Sequence, residues 1–132
     1  MSASVAQSRL GAAFAEAFTA KDFDGVVALL HPEVDFRGLT PNRAWQASGA
    51  REVVDGVLRE WLEESDVVED VLDVQTDVIA DTERVGYRFR GHNPGGPFIV
   101  EQQAYLRERD EDIGWMRVVC SGMRPTEPIS RG

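Results

Sequence analysis

The sequence is poor in the residues that covalent and metal scaffolds use. It has a single cysteine, Cys120, and two histidines, His31 and His92. One thiol excludes an internal disulfide framework and suits a reducing, cytoplasmic location. No stretch approaches the ~20 apolar residues that a membrane span requires. The start, "MSASVAQSRLGAAF", has Arg9 as its only base and no long apolar block, so it does not read as a signal peptide. P-loop, GxGxxG, HExxH and CxxC patterns are all missing. Nucleotide, dinucleotide and zinc chemistry therefore have no support, and neither a metal site nor a cofactor is expected.

Positive charge is also scarce, in one region above all. Ten acids lie between Glu60 and Glu83 with no Lys or Arg among them, and the formal net charge is −9. Such a surface repels phosphate backbones and anionic lipids, so neither nucleic acid nor a membrane is an expected partner. The acid spacing matches no EF-hand loop and encloses no histidine, and the run reads as a solvated face.

What is present suffices for one domain spanning 1–132: 132 residues, 42% apolar and 28% charged. Leu10, Phe14, Ala17 and Phe18 recur at helical spacing and predict a helix over about 3–20. Asp22 is placed to cap a second helix, with Phe23, Val26, Val27 and Leu30 on its apolar side and Pro32 ending it. From Val34 to Leu39 the period becomes two, which predicts a short strand. A loop carrying Pro41 and Trp45 follows. "SGAREVVDGVLREWLEE" then reads as a third helix capped by Ser48 or Gly49, with Val53, Val54, Val57, Leu58, Trp61 and Leu62 inward. Strands are expected near 68–79, 84–91, 98–109 and 114–124, separated by the turn sequences "ADTE", "HNPGGP" and "DEDIG". The expected class is α+β, with helices on one face of a curved, mainly antiparallel sheet. Phe14, Phe18, Val27, Leu30, Val54 and Leu58 are expected in the core.

Three segments, "AFTAKDFDGVVALLHPEVDFRG", "GAREVVDGVLREWL" and "VEQQAYLRERDEDIGWMRV", resemble the nuclear transport factor 2-like (NTF2-like) superfamily and its SnoaL-like polyketide cyclase, ketosteroid isomerase and limonene epoxide hydrolase members. The resemblance implies a cone-shaped α+β fold with three N-terminal helices on the sheet. It implies no fixed activity, because one fold hosts many. At the ketosteroid isomerase tyrosine position this chain has Phe14, and at the base position Gly38 or Arg37. Phenylalanine donates no hydrogen bond and arginine stays protonated, so that mechanism is not expected. "RERDED" at 107–112 lies in a turn, which disfavours the epoxide hydrolase set of residues.

Candidate site residues follow from chemistry and strand parity. Glu101 is the candidate mid-strand base, its pKa raised if an apolar cavity surrounds it. Strand parity, however, groups Gln102 with the more apolar face and Glu101 with the other. His92, at the head of "HNPGGP", is a candidate rim acid/base. Asp35 and Arg37 share a strand face and form either a surface pair or part of the cavity mouth. Trp45 and Tyr87 are candidate aromatic walls, while Trp61 sits at helical spacing and is assigned to the core. His31 and Glu33 read as helix-end and turn residues. The expected function is a cofactor-independent, SnoaL-like enzyme, a cyclase, isomerase or hydrolase acting on a small hydrophobic carbonyl compound. The alternative is a non-catalytic ligand-binding or association module on the same fold. A homodimer is expected, with Arg84, Arg88 and Arg90 facing the partner or its rim.

Overall fold

The chain is described by a computed structural model covering residues 3–127, with side chains from Leu10 onward. Helix α1 spans Ala3–Thr19 and α2 spans Phe23–Leu29. Lys21 turns the chain between them at φ 59°, and Asp22 caps α2 by accepting a hydrogen bond from the Gly25 amide at 2.9 Å. Strand β1, Leu30–Thr40, starts four residues earlier than its alternating pattern suggests, so His31 and Pro32 belong to the strand.

The segment around Trp45 is a strand and not the expected loop. β2, Arg43–Ser48, folds back on β1 as a hairpin, with Thr40 opposite Arg43 and Asn42 in the left-handed region at φ 69°. Pro41 and Asn42 form that two-residue turn, because proline presets one φ and asparagine tolerates the positive one. The sequence "RAWQAS" has no β-branched residue, which hides it from propensity. Pairing with β1 decides its conformation.

The third helix, α3, follows the hairpin, so only two helices precede the sheet. It runs Ala50–Val53, widens into a π turn at Val54–Leu58 and finishes at Arg59–Trp61. Gly49 is its N-cap and makes no side-chain capping bond. Then come β3 (Val67–Ile79), β4 (Thr82–Asn93), β5 (Gly96–Arg109), β6 (Asp112–Cys120) and a short β7 (Arg124–Pro125) against β5. The sheet order is β2-β1-β6-β5-β4-β3; every pair is antiparallel except β1 with β6.

The helices cover one face of this sheet. Phe14, Phe18, Leu30, Val54 and Leu58 are buried as their spacing requires, and Val27 is half-buried. Phe14 stacks on Phe18 with centroids 5.8 Å apart, and Phe18 meets Phe89 of the sheet edge-on at 6.2 Å. Parity then assigns every strand residue to a face. Val85, Tyr87 and Phe89 of β4, Val100, Gln102, Ala104 and Leu106 of β5, and Met116, Val118 and Cys120 of β6 all point inward and are buried. Between them, outward, stand Arg84, Arg88, Glu101, Tyr105, Arg107, Arg117 and Val119.

Candidate functional site

Toward the open end of the helix layer a cavity of about 370 Å³ remains between the sheet and the end of α3. Its floor is one cross-strand row. Tyr87 of β4 stands opposite Gln102 of β5, and Gln102 stands opposite Cys120 of β6. The Tyr87 hydroxyl donates to Gln102 Oε1, and Gln102 Nε2 donates to Cys120 Sγ at 3.2 Å, which also accepts from the Gly122 amide. Burial pushes the Tyr87 phenol well above its ordinary pKa and pushes the Cys120 thiol up too, partly offset by the Gln102 bond. The floor is therefore uncharged at neutral pH.

The walls are aromatic. Trp45 comes from β2 and Trp61 from the last turn of α3, edge to face at 6.0 Å, with Phe89, Val100 and Met123 completing the lining. Trp45 is held by a bond from its indole N–H to Thr40 Oγ1 at 2.8 Å and by the Arg43 guanidinium 3.5 Å from its ring centroid. Trp61 needs Gly38: a Cβ there would lie 2.8 Å from the indole Cη2. The Trp61 Nε1–H is buried and has no acceptor among the described residues.

The mouth is acidic. Asp66, in the loop between α3 and β3, is only 5% exposed although it stands in the middle of the acidic run. Its Oδ2 accepts from the Glu63 amide at 2.8 Å and its Oδ1 from Asn93 Nδ2 at 2.9 Å. Glu60 and Glu63 line the same opening, and no Lys or Arg does. Lys21, the neighbouring cation, binds the backbone carbonyls of Glu63 and Asp66 at 2.6 and 2.7 Å.

Several sequence candidates fall elsewhere. Trp45 and Gln102 line the cavity, whereas Tyr87, expected as an aromatic wall, is 1% exposed and does not line it, because its side chain is buried beside Gln102 on the neighbouring strand. Trp61, assigned to the core by its spacing, packs against the core beside Phe36 and is a cavity wall as well. Glu101 is exposed on the outer face opposite Arg88, which removes it from the cavity. His92 is exposed as well, with Nδ1 3.1 Å from the Glu69 carboxylate. Asp35 pairs with Arg117 at 3.5 Å on the outer face, and Arg37 lines a shallow outer groove with Leu39 and Val119. For all four the cause is parity: alternate strand residues cannot share a face.

The solvated reading of the acidic run holds for its exposed members and fails for two. Asp66 is one. Glu83 is the other, 2% exposed beneath α1, where Oε2 accepts the Gly11 amide at 2.9 Å and Oε1 has no partner among the described residues. Desolvation raises its pKa to about 7 despite the opposing Gly11 bond. Its parity with Val85, Tyr87 and Phe89 was the available signal. Nothing in the sequence marks Asp66. Among the described residues no group of three His, Cys, Asp or Glu gathers as a metal site, and no helix is long and apolar enough to cross a membrane.

No family model and no curated protein matches the chain. Solved structures do. An LEH-like epoxide hydrolase from M. tuberculosis superposes with a TM-score of 0.68 at 16% identity, over 89% of this chain and 84% of that one. An NTF2-like protein from Burkholderia xenovorans LB400 gives 0.66 at 11% identity, over 90% and 92%. The chain has the NTF2-like fold. A polyketide cyclase candidate from Xanthomonas campestris pv. campestris fits the same frame, with a TM-score of 0.67 at 19% identity over 89% and 92% of the two chains. Identities this low carry the NTF2-like architecture and no particular activity.

Proposed function

We propose that this NTF2-like chain binds a small, largely apolar molecule in the cavity beneath Trp45 and Trp61. The observation that carries the reading is the neutral floor. Gln102 is 2% exposed and oriented by Tyr87, so it presents a fixed amide N–H to a ligand's carbonyl or hydroxyl. Titration of tryptophan fluorescence with small aryl ketones tests it. Saturable quenching that weakens at least ~10-fold in Trp45→Ala, with the melting temperature little changed, supports the reading. Absence of saturable binding to the unmodified protein, or a Trp45→Ala variant that unfolds, contradicts it.

A second reading, a cofactor-independent cyclase, isomerase or hydrolase of the SnoaL-like kind, is favoured by Asp66. It is the buried carboxylate of the cavity, and its two remaining lone pairs suit it to take a proton next to a ligand carbonyl. Exchange of the α-hydrogens of a bound ketone with deuterated water, abolished in Asp66→Asn, would support catalysis. Binding without exchange leaves the ligand-binding reading alone.

We also propose that two copies pair through the outer sheet face. Leu39 and Val119 are 53% and 52% exposed there and flank a groove of about 450 Å³. Within one copy Arg84 already holds Asp77 at 2.9 Å and Arg88 approaches Asp73 at 3.8 Å. Apolar contact, more than these arginines, would then hold the pair. Light scattering that reports a monomer at micromolar concentration would contradict it.

A further inference from the structure

The polar groups of the cavity are sorted by hydrogen-bonding sense. At the floor Gln102 Oε1 is occupied by Tyr87, and one hydrogen of Nε2 goes to Cys120 Sγ. An amide nitrogen carries two hydrogens, so Gln102 Nε2 keeps a second one beyond its bond to Cys120. The floor thus offers an unused donor. At the mouth the sense reverses. Asp66 is a buried carboxylate held by two donors, with Glu60 and Glu63 beside it and no basic side chain in the lining. A carboxylate in a partly desolvated opening attracts a cation far more strongly than an exposed one does. The adjacent indole faces add to that attraction. An anionic ligand would meet three carboxylates there against one neighbouring cation, Lys21, which lies outside the lining and is held by the Glu63 and Asp66 carbonyls, within a chain of net charge −9.

We infer that the cavity selects an organic monocation, an amine or quaternary ammonium with an apolar body, its charge at the Asp66 mouth and a hydrogen-bond acceptor such as an ester or ketone oxygen at the Gln102 floor. This rests on the ligand-binding reading above and adds to it the charge and orientation of the ligand.

Butyrylcholine and its neutral carbon isostere, 3,3-dimethylbutyl butyrate, are the probes. They differ in charge and hardly in shape. Titrated into the full chain at low salt, butyrylcholine is expected to bind about tenfold or more tightly than the isostere. In Asp66→Asn the two affinities should converge, mainly through weaker cation binding. Because that substitution also touches the Glu63 turn, Glu63→Gln serves as a second variant; it leaves the turn amide in place and should reduce the preference partially. Equal binding of both esters by the unmodified chain overturns the charge selection while leaving the binding reading intact. Tighter binding of the isostere does the same. If neither ester binds and aryl ketones fail as well, both readings fall.

Discussion

Residues 101 and 102 are neighbours in the chain and opposites in the molecule. Glu101 stands in water on the outer face of β5, across from Arg88; Gln102 is 2% exposed and bonded to Tyr87 and Cys120 at the cavity floor. The same contrast separates the two faces of the whole sheet. The outer face is a lattice of exposed ion pairs, Arg84 with Asp77, Arg107 with Asp81, Arg117 with Asp35. The inner face carries stacked aromatics, a neutral polar row and one buried acid, Glu83. Composition does not distinguish a working polar group from a solvated one here; side-chain parity and depth do.

The largest expected difference between the faces is in stability. Phe18 is fully buried and stacked on Phe14, so Phe18→Ala is expected to cost ~3–5 kcal/mol. Arg88→Ala, on the outer face, should stay within about 0.5 kcal/mol. Urea unfolding of the two variants measures both, and comparable losses would break the contrast.

A smaller effect should appear with pH. Glu83 has a folded pKa near 7 against 4.5 for the free side chain. Between those values the folded state binds more protons than the unfolded one. Its contribution therefore favours folding below about pH 4.5, declines as pH rises and levels off above 7. The span, discounted for residual solvation, is about 2 kcal/mol. Thermal melts from pH 5 to 8 should show this decline in the unmodified chain and a flatter profile in Glu83→Gln. An identical slope in both would mean that Glu83 titrates as an exposed acid.

The smallest effect belongs to the outer ion pairs. Arg84 holds Asp77 below the usual carboxylate range, chiefly by their direct hydrogen bond, yet Asp77 is half-exposed. A double-mutant cycle on the pair should return only a small coupling that shrinks in salt. A large coupling that persists in salt would show that the outer face is as tightly built as the inner one.

Much of this architecture was legible because two periodicities were clear. Helical spacing at 10–18 and 53–62 and alternation along 98–106 fixed which residues face the core. The same alternation put Gln102 on the inner face, whereas Trp45 was singled out from an expected loop that is in fact β2. The β2 hairpin was not legible, since its conformation comes from backbone pairing with β1 and not from its own side chains. Trp61 was read as core alone because its spacing shows only that it faces inward. It does not show that Gly38 opens room for the ring beside a cavity. Asp66 and Glu83 were hidden in a run of acids; their burial comes from a loop tied to Asn93 and from a helix laid over β4, contacts between residues 27 and 72 positions apart.

The three tryptophans give the most direct test of the central claim, that the inner cavity is the site. Trp45 and Trp61 line it, whereas Trp115 lies on the outer face between Arg107 and Arg117, whose guanidinium carbons are 4.0 and 4.4 Å from its ring. Nitrogen-15 NMR of the chain titrated with butyrylcholine and with its neutral isostere resolves all three indole N–H signals and the Gln102 amide. The account requires the Trp45, Trp61 and Gln102 signals to shift together and saturate, with Trp115 unmoved. A saturating shift at Trp115, or at Trp45, which also borders the outer groove, while Trp61 and Gln102 stay fixed would place the site on the outer face and contradict it.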